Sequence, residues 1–110
     1  MKPNLKETVM TTFDFGDGKG PVAAHKHSNG GGWVADTVFV ADTAFVGPDA
    51  RVFGNAVVYG NAMVSGNAWV YGNARVYDYA YVYGAARVFD NAVVYGYAWV
   101  YGDAYVYDYR

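Results

Sequence analysis

The 110-residue chain contains no cysteine, which excludes a disulfide framework and thiolate chemistry. Its two histidines, His25 and His27, stand near the N-terminus, and residues 34–110 hold no histidine, lysine or cysteine. That long segment therefore lacks a side chain that titrates near neutral pH, as a general base must. No apolar run approaches the roughly 20 residues that span a bilayer. No charged segment followed by an apolar stretch marks a signal peptide. These absences predict a protein made in the cytoplasm that does not insert into a membrane, and they leave its place of action open. The formal net charge of −2 gives no electrostatic reason to expect nucleic acid as a partner.

What is present is a repeat. Valine recurs at Val34, Val40 and every sixth residue to Val106, with no insertion or deletion. Four residues after each valine stands a small residue, Val38 once and then alanine from Ala44 to Ala104. A strict short period over this length predicts a solenoid. Gly-Asn pairs at 54–55, 60–61, 66–67 and 72–73 supply turn formers, and aspartate replaces the glycine at positions such as Asp78 and Asp90. Each unit therefore reads as a short strand followed by a tight corner. Aromatic residues make up 19% of the chain, and all 12 tyrosines lie at or after Tyr59, so the aromatic content concentrates in the later repeats.

Upstream of the repeat, residues 1–12 have no period and read as a flexible arm. Residues 13–33 read as an N-terminal cap, with Phe13, Phe15 and Trp33 as lids over the first coil. Terminal units of a solenoid are usually atypical because they must cover exposed core and strand edges. The repeat domain is residues 34–110.

The phrases V-A-D-T-V-F, V-A-D-T-A-F and V-G-P-D-A-R (Val34 to Arg51) resemble the hexapeptide repeat of left-handed parallel β-helices. The run G-G-G-W-V-A-D-T and the later G-N-A-x-V-Y phrases resemble a group of bacterial and phage-encoded hexapeptide proteins. The resemblance implies an all-β fold: a single-stranded left-handed parallel β-helix, a triangular solenoid with three hexads per coil. The twelve hexads from Val34 to Tyr105 would make four coils, and Val106 to Arg110 would begin a fifth. One departure matters. From Phe53 onward the residue after the valine is Phe or Tyr, Ser65 excepted, where the family carries Gly, Ala, Glu or Asp. The well-known enzymes of the family are acyltransferases that use a histidine base and an inserted loop, and this repeat has neither. The resemblance therefore implies the scaffold without the enzyme, an acyltransferase-like remnant at most, and no cofactor.

Counting by eighteen gives outward columns that run from coil to coil. Trp69, Tyr71, Phe89, Tyr105 and Tyr107 fall on the first face, and Tyr81, Tyr83, Trp99 and Tyr101 on the third. Arg87 falls between Trp69 and Tyr105, placed for cation–π contact. Such extended aromatic faces exceed what a monomer normally exposes, so these nine aromatics are the candidate interaction surface. Two partners fit them: a second copy of the chain, in a side-by-side trimer or an end-to-end fibre, and glycans stacked on the rings. With Arg110 in an alanine position, the last coil is expected either to be blunted by Asp108 and Arg110 or to be met by another copy, and the second is preferred.

Three other features are weighed and set aside. Asn55, Asn73 and Asn91 share one corner column and are expected to hydrogen-bond coil to coil, a structural role. His25 and His27 could share a metal ion on an extended segment, but solvated or cap-packing histidines are the preferred reading, so no metal site is assigned. Gly16 to Gly20 lacks the spacing and following helix of a phosphate loop, and Thr37 and Thr43 do not form ladders. The sequence thus points to a non-enzymatic structural β-solenoid, with a carbohydrate-binding module as the competing class.

Overall fold

A computed structural model describes residues 11–108. Three strands open the chain: β1 (Thr12–Asp14), β2 (Pro21–Lys26) and β3 (Trp33–Ala35). They pair antiparallel in succession, with Phe13 opposite Val22 and His25 opposite Val34. Pairing thus begins at Thr12, the last residue of the segment read as an arm, and residues 1–10 lie outside the described residues.

From Trp33 every strand ends on or spans a repeat valine, and β4 (Phe39–Val40) through β15 (Tyr105–Val106) are two residues long. All are parallel and paired at an offset of eighteen, as where Trp69 lies between Arg51 and Arg87. They form three sheets, one on each side of the prism. The first holds five coil strands and is extended by β2 and then β1, and the other two hold four strands each. The described residues contain no helix. The chain is an all-β solenoid of about four stacked coils, as the period predicts.

The strands are this short because the chain must turn three times per coil. The corner residue takes φ between 62° and 72° at Gly54, Gly60, Gly66, Gly72, Gly84, Gly96 and Gly102. Asp78 and Asp90 fill the same place with φ of 61° and 56°. Asp is one of the few side chains that tolerate this region, because its carboxylate can bond to backbone nearby. Here Asp78 Oδ2 accepts a hydrogen bond from the Gly96 N–H at 3.0 Å, one coil on. The asparagines that follow each glycine are not left-handed. The glycine or aspartate before them carries the left-handed conformation.

Inside, the valine and alanine positions behave as the repeat requires. From Val46 to Val88 every repeat valine is sealed from solvent, as is every alanine from Ala44 to Ala86 apart from a trace at Ala50. Burying each valine contributes on the order of 1.5–3 kcal/mol before ordering costs. Backbone N–H groups donate to carbonyls one coil on, for example Val57 to Ala74 at 2.9 Å on a sheet and Asn55 to Gly72 at 2.8 Å at a corner, so both sheets and corners are bonded between coils.

The cap differs from expectation. Phe13, Phe15 and Trp33 do not lie over the end of the core. They sit on the outer side of the first sheet, where Phe13 stacks on Trp33 at 4.7 Å and Phe15 on Phe53 at 4.9 Å. A separate cluster of Phe15, Ala24, Ala35 and Phe53 results. The pleat explains this: Ala24 pairs with Ala35, whose side chain faces outward, so the hairpin's apolar side faces outward too. The segment His27 to Gly32 meets the first coil instead. Gly32 N–H donates to Val46 O at 2.9 Å, Val46 N–H donates to Asn29 O at 3.0 Å, and the buried His27 donates from Nε2 to Ala44 O at 2.8 Å.

Candidate interaction surface

Outward side chains alternate with the inward valines, so each face of the prism presents two columns. On the first face one column alternates cations and rings. Arg51 Cζ lies 5.1 Å from the Phe13 ring and 5.3 Å from Trp69, and Arg87 Cζ lies 4.2 Å from Trp69 and 5.7 Å from Tyr105. The Arg87 geometry read from the sequence is therefore present, and Arg51 repeats it two coils earlier. Arg51 also donates from Nη1 to Phe15 O at 2.9 Å, which ties the N-terminal segment to this face. The second column stacks Phe53, Tyr71, Phe89 and Tyr107 with centroids 4.8 to 5.2 Å apart.

These contacts consume much of the first face. Trp69, Tyr71 and Phe89 are half-buried, and Phe53 is buried beneath Phe15. Only Tyr105 and Tyr107, in the last coil, are exposed there. Tyr71 is held above the usual phenol range chiefly by burial, with the adjacent Arg87 pulling the other way.

The third face is more open. Tyr81 and Tyr83 lie 4.4 Å apart, Tyr83 stacks on Tyr101 at 5.4 Å and meets Trp99 edge-on at 6.4 Å. Trp99 and Tyr101 are 67% and 58% exposed, whereas Tyr81 and Tyr83 are half-buried. The nine aromatics read from the sequence thus divide into two groups, one spent on contacts within the chain and one facing solvent.

Sequence reasoning missed the corner that joins the second and third faces. Tyr79 and Tyr97 stack there at 5.1 Å, nearly parallel, and Tyr97 is 79% exposed, the highest of any large apolar side chain described. Tyr59, Tyr77 and Tyr95 stack beside them on the second face at 4.8 and 5.7 Å. The column Thr43, Asn61, Tyr79, Tyr97 carries the signal, but corners read as turn chemistry and draw attention to Gly and Asn. In the fourth coil Tyr95, Tyr97, Trp99 and Tyr101 therefore form one band around an edge of the prism. Asp103 is the sole charged residue between Asn91 and Tyr107, and Asp78 of the coil before reaches the band at the Gly96 N–H, so covering the band would strip water from few charges.

Tyr77, like Tyr71, is held above the usual phenol range, first by loss of water and then by Tyr59 and Asp78 beside it. In both the folded state favours the neutral phenol. That contribution is complete below the unfolded value near pH 10 and is lost as pH rises through the higher folded value. The melting temperature is therefore expected to hold between pH 8 and about 9.5 and to fall above about pH 10, with the Tyr77→Phe and Tyr71→Phe double variant falling less steeply. Identical alkaline profiles for the two proteins would contradict this.

The histidine pair does not converge. His25 Nδ1 lies 2.6 Å from Asp36 Oδ1 in solvent, whereas His27 is buried on the Ala44 carbonyl. No group of three metal-ligating side chains occurs among the described residues. The asparagine column also departs from expectation: Asn55, Asn73 and Asn91 are exposed and their amides make no hydrogen bonds to one another. Their backbone N–H groups carry the coil-to-coil bonds instead, as from Asn55 to Gly72 O at 2.8 Å.

Stacked parallel coils, a valine–alanine core and aromatic outer columns define a β-solenoid repeat protein, and similarity to known sequences agrees. The family described as YdcK Beta solenoid repeat matches residues 58–71, 68–84 and 86–102, the stretch that contains the exposed band. No curated protein and no solved structure matches the chain.

Proposed function

We propose that this protein is a non-enzymatic structural β-solenoid of the left-handed hexapeptide type that associates with copies of itself through the aromatic band of its third and fourth coils. The observation that supports this is the continuity of Tyr95, Tyr97, Trp99 and Tyr101 around one edge, all at least half exposed, where the Asp78 carboxylate is tied to the Gly96 N–H. Apolar patches of this extent on a soluble surface usually mark an interface, and Tyr and Trp are the residues that dominate interface energetics. A side-by-side trimer would cover the band, an end-to-end fibre would instead join the open coil ends, and the resemblance of the repeat to bacterial and phage-encoded proteins supports a role in a phage or on a bacterial surface.

Light scattering over a concentration series, with electron microscopy, tests the proposal. The native chain is expected to form a defined oligomer or filament, and the double variant Tyr97→Ala, Trp99→Ala is expected to weaken assembly by about a hundredfold or more in concentration. A strict monomer at millimolar concentration would sink it. A carbohydrate-binding or adhesive module is the second reading, favoured by the open ring faces of Trp99 and Tyr101. Loss of glycan binding in the double variant with assembly unchanged would select that reading.

A further inference from the structure

Across the second face from the corner of Tyr97, the first corner carries three asparagines in a row. Asn55, Asn73 and Asn91 stand one coil apart, which sets their spacing at about 4.8 Å. All three are exposed and their amides have no partner among the described residues. The backbone does not demand asparagine there. The left-handed φ belongs to the preceding residue, Gly54, Gly72 or Asp90, and the equivalent places at the other corners hold Tyr79, Ala85, Tyr97 and Asp103. By the third and fourth coils only this corner keeps its amide.

The row is also the wall shared by three cavities. On the second face it borders a groove of about 380 Å³ with Val57, Arg75 and Val93. On the first face Asn55 and Asn73 border a cleft of about 230 Å³ floored by Phe53 and Tyr71. Above that, Asn55 closes a pocket of about 260 Å³ whose floor is Phe15, Ala35 and Phe53 and whose rim carries Asp17, Lys19 and Asp36. The Gly16–Gly20 loop arches over these last two, held by hydrogen bonds from Gly16 N–H to Asp14 and from Lys19 N–H to Asp17. The loop leaves the face at Gly16, where an added Cβ would lie 3.5 Å from Arg51 Nη1, and side chains built at Gly18 or Gly20 would touch nothing.

We propose that this corner binds a neutral, linear oligosaccharide lying along the solenoid axis, with one end in the pocket under the loop. Each amide offers both donor and acceptor groups, which suits hydroxyls that themselves do both. One coil is close to the length of one pyranose ring, so successive amides meet successive sugars. An extended peptide advances about 3.3 Å per residue and would fall out of step within two coils. The charges at the rim, Asp17, Asp36, Lys19 and Arg75, are of both signs, which disfavours nucleic acid and strongly charged polymers. The apolar floor supplies the surface on which a ring's C–H face can rest.

Calorimetry of the full chain with cellohexaose, chitohexaose and mannohexaose, and with their shorter homologues, tests the proposal. At least one series is expected to bind, with affinity rising from the disaccharide to the tetrasaccharide. The triple variant Asn55→Ala, Asn73→Ala, Asn91→Ala is expected to lose about tenfold or more while melting and assembling as the native chain does. Asn73→Ala alone, expected to lose about threefold, serves should the triple variant fold poorly. Absence of binding by all three hexasaccharides would overturn the proposal, as would undiminished binding by the variants. Binding lost in Trp99→Ala but retained in the asparagine variants would assign the sugar to the aromatic band and overturn it too.

Discussion

Ala74→Leu is expected to lower the melting temperature by roughly 10 °C or more, an overpacking cost on the order of 3 kcal/mol. Ala74 is sealed from solvent in the middle of the stack, with Ala56 and Ala92 at the same place in the coils on either side. A leucine needs room that the coil could supply only by moving apart from its neighbours. Backbone hydrogen bonds hold it there, from Val57 N–H to Ala74 O at 2.9 Å on one side and from Arg75 N–H to Ala92 O at 2.9 Å on the other. Ala85→Leu is the control, since Ala85 lies exposed at a corner and should change melting little. Equal melting of the two variants would contradict the inward assignment of the alanine column.

Gly84→Val is expected to cost about 3 kcal/mol or more, whereas Gly84→Asp is expected to cost much less. Gly84 has a φ of 70°, and a Cβ built there would lie 2.8 Å from the backbone nitrogen of Gly102. Valine is doubly unsuited, being β-branched at a left-handed position and pressed against the next coil. Aspartate already occupies equivalent corners at Asp78 and Asp90, and at Asp78 its carboxylate takes the N–H of the coil beyond. Urea denaturation of the two variants reads the difference directly. If both lose the same stability, conformational preference at the corner is not what selects glycine here.

These two positions show what a strict period makes legible. The valine and alanine columns, the offset of eighteen, the tight corners and the Arg87 contact with Trp69 all follow from residue spacing. Each depends only on the next coil repeating the last, so a local pattern propagates into a global register. The exposed face of Trp99 and Tyr101 was legible by the same count. The joining of that face to Tyr97 and Tyr95 was not, because it depends on how sharply the corner folds and how far its side chains project.

What the repeat alone determined is the inside of this protein: which residues face the core, and that coils stack in parallel with three strands each. What only the tertiary structure decided is the outside. The N-terminal hairpin turns onto the first face because Ala24 pairs with Ala35, a contact between segments that share no period and are linked by the turn-rich run Ser28 to Gly32. That docking, with Arg51 and Arg87 held between rings, closes much of the first face and leaves the second corner open to a partner. It also leaves the asparagine amides of the first corner without partners beside a loop-covered pocket. Burial follows from a residue's own chemistry repeated in register, whereas exposure depends on what else the chain brings against it.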